Sequence, residues 1–301
     1  MLTVNGVVVL YHPDSSIVEN IQSYIDSIDK LYVVDNSGFI DSEVVAEIEK
    51  INKCIYVNNG ENIGLARALN VGAEMALDNG ADWLLTMDQD SRFQDGTLMH
   101  IIQWLNDNDA SDVGIVTPVH KTFGYSTKVC NGLVDASTVM TSGNLLNLEA
   151  YVEVGPFRED FFIDYVDHEY CFRLMNFNYK ILIHCDSILE HNLGVSKYVN
   201  FFGFSVIYTN HNRVRRYYIT RNRLSILKEY WLTQPVYCIK DIKNFFTSWL
   251  KIVLFDKNAI AKQKSILLGV LHFFQCKTGK LSSEGEKYLG IGNSRKNERQ
   301  L

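Results

Sequence analysis

Short β-branched runs alternate with segments of helical period through the first half of the chain. The runs are VVVLY at 7–11, LYVVD at 31–35, CIYV at 54–57, WLLTMD at 83–88 and VGIV at 113–116. Between the first two, Ile17, Ile21, Ile25 and Ile28 fall on one helical face, and Ser16 with Glu19 makes a capping-box pattern. Leu65, Ala68, Leu69, Gly72 and Ala76 repeat the theme in a later segment. Strands and helices in alternation predict an α/β fold with a mostly parallel central sheet. Ligands of such sheets bind beyond the carboxyl ends of the strands. There the polar residues collect: Tyr11-His12, Asp35-Asn36-Ser37, Asn58-Asn59 and Asp88-Gln89-Asp90. Asp, Asn and Ser also favour turns for local reasons, so the signal lies in the set and not in any one member.

The texture changes near residue 211. YITRNRLSILKEYWL, KNFFTSWLKIVLF and KQKSILLGVLHFF mix large aromatics with Lys and Arg at helical spacing. They predict a C-terminal helical, basic-aromatic appendage over 211–301 beside a domain over 1–210. No apolar stretch reaches the roughly 20 residues that span a bilayer. Residues 211–280 suit helices lying on an anionic membrane surface; packing on the sheet, or on a second copy in a homo-oligomer, is the alternative. Residues 120–136 lack periodicity and read as a loop over the site. The polar tail from about 282 reads as flexible.

Composition narrows the classes. With 301 residues, 47% hydrophobic and 21% charged, the chain has the apolar mass for a sizeable core, and neither disorder nor a disulfide miniprotein fits. The net charge of −6 hides an asymmetry: residues 211–301 carry 18 basic and 6 acidic groups, net +12, and residues 1–210 are net −18. An acidic first part argues against a nucleic-acid partner. Six scattered cysteines form no CxxC pair, which excludes a zinc ribbon or a thioredoxin motif. Together with an opening apolar run too short for a signal peptide, they suit a reducing cytoplasm, with peripheral attachment to the inner face of the cytoplasmic membrane.

Three segments carry chemistry. Asp88-Gln89-Asp90 follows an apolar strand and places two carboxylates in a turn, suited to Mg²⁺ or Mn²⁺ bridging a nucleotide diphosphate. In FFIDYVDHEYCFR, Asp164, Asp167 and His168 share a face if the segment is helical, and a partly desolvated carboxylate there can accept a proton from a sugar hydroxyl. His168 can equally be the partner of Asp164. His191 follows KILIHCDSILE and is positioned to complete a metal site or contact phosphate. Arg213, Arg215, Arg216, Arg221 and Arg223 could neutralise a departing diphosphate or a lipid phosphate. A phosphate loop, a GxGxxG fingerprint, HExxH and GxSxG are all missing from the sequence.

From Val7 to about Arg223 the chain resembles glycosyltransferase family 2, and within it the bacterial rhamnosyltransferase-like members. The residues that carry the likeness are Val33-Val34-Asp35-Asn36-Ser37, Asn62-Ile63-Gly64-Leu65-Ala66, Asp88-Gln89-Asp90-Ser91, Thr141-Ser142-Gly143-Asn144, Phe162-Ile163-Asp164-Tyr165-Val166-Asp167 and Arg221-Asn222. The resemblance implies a GT-A fold, a nucleotide-sugar donor, a divalent ion and inverting transfer to a hydroxyl acceptor. It makes Asp35 the contact to the pyrimidine base, Asp88 the acid near ribose and sugar, and Asp90 a metal ligand, with Asp88 and His191 beside it. Asp167 falls where the family carries its catalytic base in a Glu-Asp motif; Val166 replaces the Glu here, so Asp164 and Glu169 stay open as alternatives. The donor-binding set so drawn is Tyr11, Asp35, Asn36, Asn59, Gly64, Arg67, Asp88, Gln89, Ser142, Gly143 and Arg221. The expected donor is dTDP-L-rhamnose over UDP-hexoses, and the acceptor a glycan or lipid-linked glycan of a cell-surface polysaccharide. A nucleotidyltransferase or an inactive membrane-bound scaffold are the readings from other classes.

Overall fold

The five β-branched runs form strands. The computed structural model describes residues 1–38, 42–122, 130–191, 196–201, 204–209 and 211–291. Its first half runs β1 (Val4–Leu10), α1 (Ser16–Gln22), β2 (Lys30–Asp35), α2 (Ser42–Glu49), β3 (Cys54–Asn58), α3 (Leu65–Asp78) and β4 (Trp83–Asp88). Then follow β5 (Ser91–Phe93), α4 (Thr97–Asp107), β6 (Val113–Thr122), β7 (Leu133–Asp135), β8 (Asn144–Asn147), α5 (Leu148–Val154), α6 (Val166–Asn176) and β9 (Lys180–His191). The sheet order is β3-β2-β1-β4-β8-β6-β9-β5, with β7 on β9. Strands β3, β2, β1 and β4 pair in parallel, as the alternation of strand and helix predicts. The other half is mixed: β6 and β9 are parallel, while β8, β5 and β7 pair antiparallel.

Alternation along β1 sends Val4, Val8 and Leu10 into a core with Ile17, Ile21, Ile25 and Ile28 and the inner side of α4. Val7 points to the opposite face and meets α3, where a Cβ built on Gly72 would fall 2.3 Å from Val7 Cγ2. Ser16 and Glu19 do not form the expected capping box. Ser16 is the first residue of α1, and its N–H and hydroxyl both donate to the Asp14 carboxylate at 2.9 and 2.5 Å. An Asx-type turn replaces the cap. The four isoleucines share burial but not one helix, because α1 ends at Gln22 and a short 3₁₀ turn carries Ile25.

The chain divides into two compact units, one comprising residues 1–159 and 166–192 and the other residues 160–165 and 193–301. In the second, β10 (Ser196–Phe201) and β11 (Phe204–Thr209) form an antiparallel pair, followed by α7 (Arg213–Tyr230), α8 (Pro235–Phe255), α9 (Ala259–Phe274) and α10 (Ser283–Tyr288). Helix α9 packs on α7 so closely that a Cβ on Gly269 would fall 2.8 Å from the Tyr217 carbonyl oxygen. Phe162 stacks on Tyr218 at 5.1 Å between ring centroids. The tail read as flexible from 282 instead begins with α10, whose N-cap Ser282 accepts the Gly285 N–H; residues 292–301 lie outside the described residues. Within the aperiodic segment 120–136, residues to Thr122 extend β6 and Leu133–Asp135 form β7, and 123–129 lie outside the described residues. Cys130 and Cys185 are joined as a disulfide with Cα atoms 5.5 Å apart, a pairing the scattered spacing does not signal. Among the described residues no helix is long and apolar enough to cross a membrane.

The close approach of α3 to β1 makes a stability test. Gly72→Ala drives a methyl into Val7, and overpacking of this kind costs about 1–3 kcal/mol. Urea unfolding should show a lowered midpoint with an unchanged m-value.

Candidate active site

Parallel pairing sets Leu10 beside Asp35 and Asp35 beside Asn58, while Val9 pairs with Asp88. The polar residues that follow these strands therefore collect along one edge. Asp35 is buried; its Oδ1 accepts the Ser37 N–H at 2.7 Å and its Oδ2 the Tyr56 hydroxyl at 2.6 Å. Burial pushes the Tyr56 hydroxyl up and the bond to Asp35 adds to it, so the phenol stays a donor. Asn36 donates to the Gly64 carbonyl at 3.1 Å and accepts from Asn59 Nδ2 at 2.8 Å, joining the ends of β2 and β3 to the start of α3. Gly64 has φ 91°, a region L side chains avoid. Arg67, one turn into α3, is exposed and pairs with Glu159 at 2.9 Å, and Asn70 Nδ2 reaches the same carboxylate at 3.0 Å.

The Asp88-Gln89-Asp90 turn is held from three sides. Gln89 Oε1 accepts the Tyr11 N–H at 2.7 Å and its Nε2 donates to the Tyr11 carbonyl at 3.2 Å, so Gln89 clamps the chain leaving β1. Asn20 Nδ2 donates to the Gln89 carbonyl at 2.8 Å. The Asp88 N–H donates to the buried Ser142 hydroxyl at 3.0 Å, and His120 Nε2 contacts the Ser142 carbonyl at 2.7 Å. Gly143, with φ 84°, donates to the Thr86 carbonyl at 2.7 Å. Ser91, next to Asp90, pairs in register with His191 at the end of β9. Facing residues of an antiparallel ladder have Cα atoms about 4.5–5.5 Å apart, so the backbone brings His191 to the acidic turn. Two carboxylates and an imidazole-bearing residue at one edge are a donor set that fits Mg²⁺ or Mn²⁺. The His191 side chain lies outside the described residues, and among those described no three His, Cys, Asp or Glu side chains form a ready metal cluster.

The three acids near residue 167 have different surroundings. Helix α6 starts at Val166, so Asp164 does not share a helical face with Asp167 and His168 as expected. Phe162, Asp164 and Tyr165 all have positive φ, between 63° and 68°. Such backbone costs about 1–3 kcal/mol per residue and persists only where the surroundings fix it. Asn222 fixes it here: its Nδ2 lies 2.8–2.9 Å from the carbonyls of Phe161, Ile163 and Asp164. The Asp164 carboxylate is paired with Arg215 at 2.6 Å. Glu169 is buried and held by Arg173 through bonds of 3.0 and 2.9 Å. Among the described residues Asp167 pairs with no arginine. Its carboxylate meets the ring of His168 at 2.8 Å, so His168 is a partner of Asp167. Burial raises the Asp167 carboxyl, but the charge and hydrogen bonds of His168 outweigh it and hold the group below its ordinary value. Its contribution to stability is therefore complete above the unfolded value of about 3.9 and is lost only as pH falls through the lower folded value. A cavity of about 10 Å³, room for one water, lies against Asp167, Asn144 and Tyr170; among the described residues Asn144 Oδ1 and the Tyr170 hydroxyl have no hydrogen-bond partner.

The arginines expected near a diphosphate are engaged inside the helical unit. Arg221 is buried and donates to the carbonyls of Gly279, Asp160 and Phe161 at 2.7–3.1 Å, with its guanidinium over Tyr217 and Tyr218. Arg223 is paired with Asp241 at 2.7 Å, Arg213 donates to the Leu289 carbonyl at 2.7 Å, and burial pushes the Arg216 guanidinium down to about 10. Arg221 and Asn222 thus brace the 160–164 backbone, and a donor contact by Arg221 would require breaking those bonds. Sequence reasoning missed Tyr56, His120, Asn70 and Glu159, which hold the edge in shape. Tyr56 alone had a signal: it is two residues before Asn58 on β3, hence on the same face as Asp35 across the ladder.

Residues 7–156 match the family model "Glycosyl transferase family 2". The chain is 28% identical over 297 residues to "dTDP-rhamnosyl transferase RfbF" of Shigella flexneri, covering 91% of this chain and 96% of that one. Residues 7–156 thus form a glycosyltransferase family 2 domain, and over nearly its whole length the chain is rhamnosyltransferase-like. The crystal structure of GalNAc-T7 with UDP, GalNAc and Mn²⁺ superposes with a TM-score of 0.61 at 12% identity, over 100% of this chain and 55% of that one. S. aureus TarS superposes with a TM-score of 0.57 at 13% identity, over 95% of this chain and 50% of that one. The chain spans about half the length of these two structures, and the likeness shows the GT-A-like fold.

The pairing of buried Glu169 with Arg173 generates a prediction. Glu169→Gln leaves the half-buried Arg173 without its charge partner while its bonds to the Val154 and Pro156 carbonyls remain, and losing a charge-assisted hydrogen-bond pair of this kind costs about 1–3 kcal/mol. Thermal or urea unfolding should show that loss, with a far smaller one for Asp167→Asn.

Proposed function

We propose that this chain is a metal-dependent, inverting glycosyltransferase that moves L-rhamnose from dTDP-L-rhamnose to a hydroxyl of a glycan or lipid-linked glycan acceptor, on the route to a cell-surface polysaccharide. The observation that carries the reaction is the difference among the three acids: Asp164 and Glu169 are each held by an arginine, and Asp167 is held by a histidine. The guanidinium groups bond both carboxylate oxygens of Asp164 and of Glu169, whereas among the described residues His168 bonds Asp167 at Oδ1. Asp167 is the base in this reading. It takes the proton of the acceptor hydroxyl as that oxygen attacks the anomeric carbon, the bond from that carbon to the diphosphate breaks on the opposite face, and the linkage is inverted. His168 orients the Asp167 carboxylate. Asp35 and Asn36, fixed by Tyr56, Asn59 and Gly64, receive the nucleoside. Asp88 and Asp90, with His191 the third candidate, would hold a divalent ion, which would supply positive charge against the leaving diphosphate. The likeness to a dTDP-rhamnosyl transferase supports the donor.

Two measurements test this. Thermal unfolding with dTDP-L-rhamnose at 100 times its dissociation constant, with Mn²⁺ or Mg²⁺, adds ~2.7 kcal/mol of stability and raises the midpoint by roughly 5–10 °C. Asp90→Ala should lose that shift, and a larger shift with a UDP-sugar would replace the donor. Asp167→Asn should lower turnover at least 100-fold while keeping the donor-induced shift. In His168→Ala the imidazole's charge and hydrogen bond are lost while the backbone N–H of residue 168 still reaches Asp167, so burial is less opposed and the acid limb of the kcat/KM profile moves to higher pH; an unmoved limb would assign the base elsewhere.

A further inference from the structure

The helical unit presents a face that its own packing leaves uncovered. On α8 the positions Val236, Ile239, Lys243, Phe246, Leu250 and Leu254 recur at steps of three and four, so they form one stripe along the helix. The five apolar members are each at least half exposed, while Cys238, Asp241 and Ile252 turn inward. Helix α9 repeats the arrangement with Ile260, Lys264, Leu267, Leu271 and Phe274 outward and Ser265, Ile266, Leu268, Gly269 and His272 inward. Trp249 Nε1 donates to Gln263 Oε1 at 2.8 Å, tying the two helices together. Scattered exposed leucines need no explanation, whereas contiguous apolar stripes mark an interaction surface.

Charge identifies what the stripes meet. From Trp231 to Lys280 the exposed charged residues are six lysines, at 240, 243, 257, 264, 277 and 280. The two acids of this stretch are turned away from solvent, Asp241 paired with Arg223 and Asp256 with Lys262. The acid nearest the α9 stripe is Glu284 of α10, which lines a pocket with Leu267 and Leu271, while α8 exposes lysines and no acid. A surface of large apolar side chains and mostly lysines complements one that is apolar below and anionic above. The α8 stripe is ill suited to a second copy of itself, which would bring Lys240 and Lys243 of the two copies together. The surface is also narrower than the basic region read from sequence, because the arginines of α7 are bonded within the fold.

We propose that the outward stripes of α8 and α9 dock this protein onto an anionic lipid bilayer, with the apolar side chains in the interface and the lysines against the headgroups. The proposal stands on the helical unit alone and does not depend on the donor or the reaction. Its test is co-sedimentation of the full chain with vesicles of phosphatidylcholine alone and of phosphatidylcholine with one quarter phosphatidylglycerol. Binding should appear with the anionic vesicles and fall with added salt. Lys240→Gln and Lys243→Gln should each weaken it by roughly fivefold, and Phe246→Glu with Leu250→Glu should abolish it. These side chains are exposed, so the variants should keep the wild-type unfolding midpoint, which separates lost docking from lost fold. Absence of binding to either vesicle, binding indifferent to these substitutions, or a concentration-dependent dimer that the Phe246→Glu, Leu250→Glu variant dissolves would each overturn the proposal.

Discussion

The candidate site depends on one constraint: four parallel strands, β3, β2, β1 and β4, end in nearly the same row. Parallel pairing fixes where each strand stops relative to its neighbour, so the polar residues that follow arrive together without any of them being attracted to the others. The hydrogen bonds among Asp35, Asn36, Asn59, Gly64 and Tyr56 then stiffen an arrangement the register has already made. Slipping one strand by one residue would turn its core side chains to the other face. The same hydrophobic alternation that builds the core therefore also places the edge.

A second theme is the partition of charge. Basic and acidic residues are abundant around positions 160–223, and in the sequence each one is a candidate for chemistry. Folding removes most of them from that role by pairing them: Arg173 with Glu169, Arg215 with Asp164 and Arg223 with Asp241. Arg221 and Asn222 are spent on backbone carbonyls of a segment whose φ angles would otherwise relax. What remains distinct is Asp167, held by a histidine and not by an arginine among the described residues.

How much of this was legible in the sequence depends on the range of the interaction. The strands were legible because β-branched runs and helical period are local signals, and Asp88-Gln89-Asp90 was legible because a carboxylate turn after an apolar strand is itself local. The ends of the strands also marked Asp35 and Asn36, and the family motifs added Gly64, which Asn36 meets, and Ser142, which accepts the Asp88 N–H. Pairing partners were not legible. Nothing in the spacing tells that Glu169 is bonded to Arg173, that Gln89 clamps Tyr11 from 78 residues away, or that Cys130 meets Cys185. The capping box failed for a related reason: the Ser16 N–H and hydroxyl both donate to Asp14, two residues before it.

The place of β9 bears on how the chain can be made. The matched family region ends at residue 156, but β6 pairs with β9 from Val113 to Thr122, and β9 emerges only at residues 180–191. Until then β6 has an open edge, ready to pair with another chain. A fragment cut at the motif boundary is thus a sheet with a missing strand. During synthesis the first half waits on a partner encoded some sixty residues later, a delay of the sort that exposes nascent chains to aggregation.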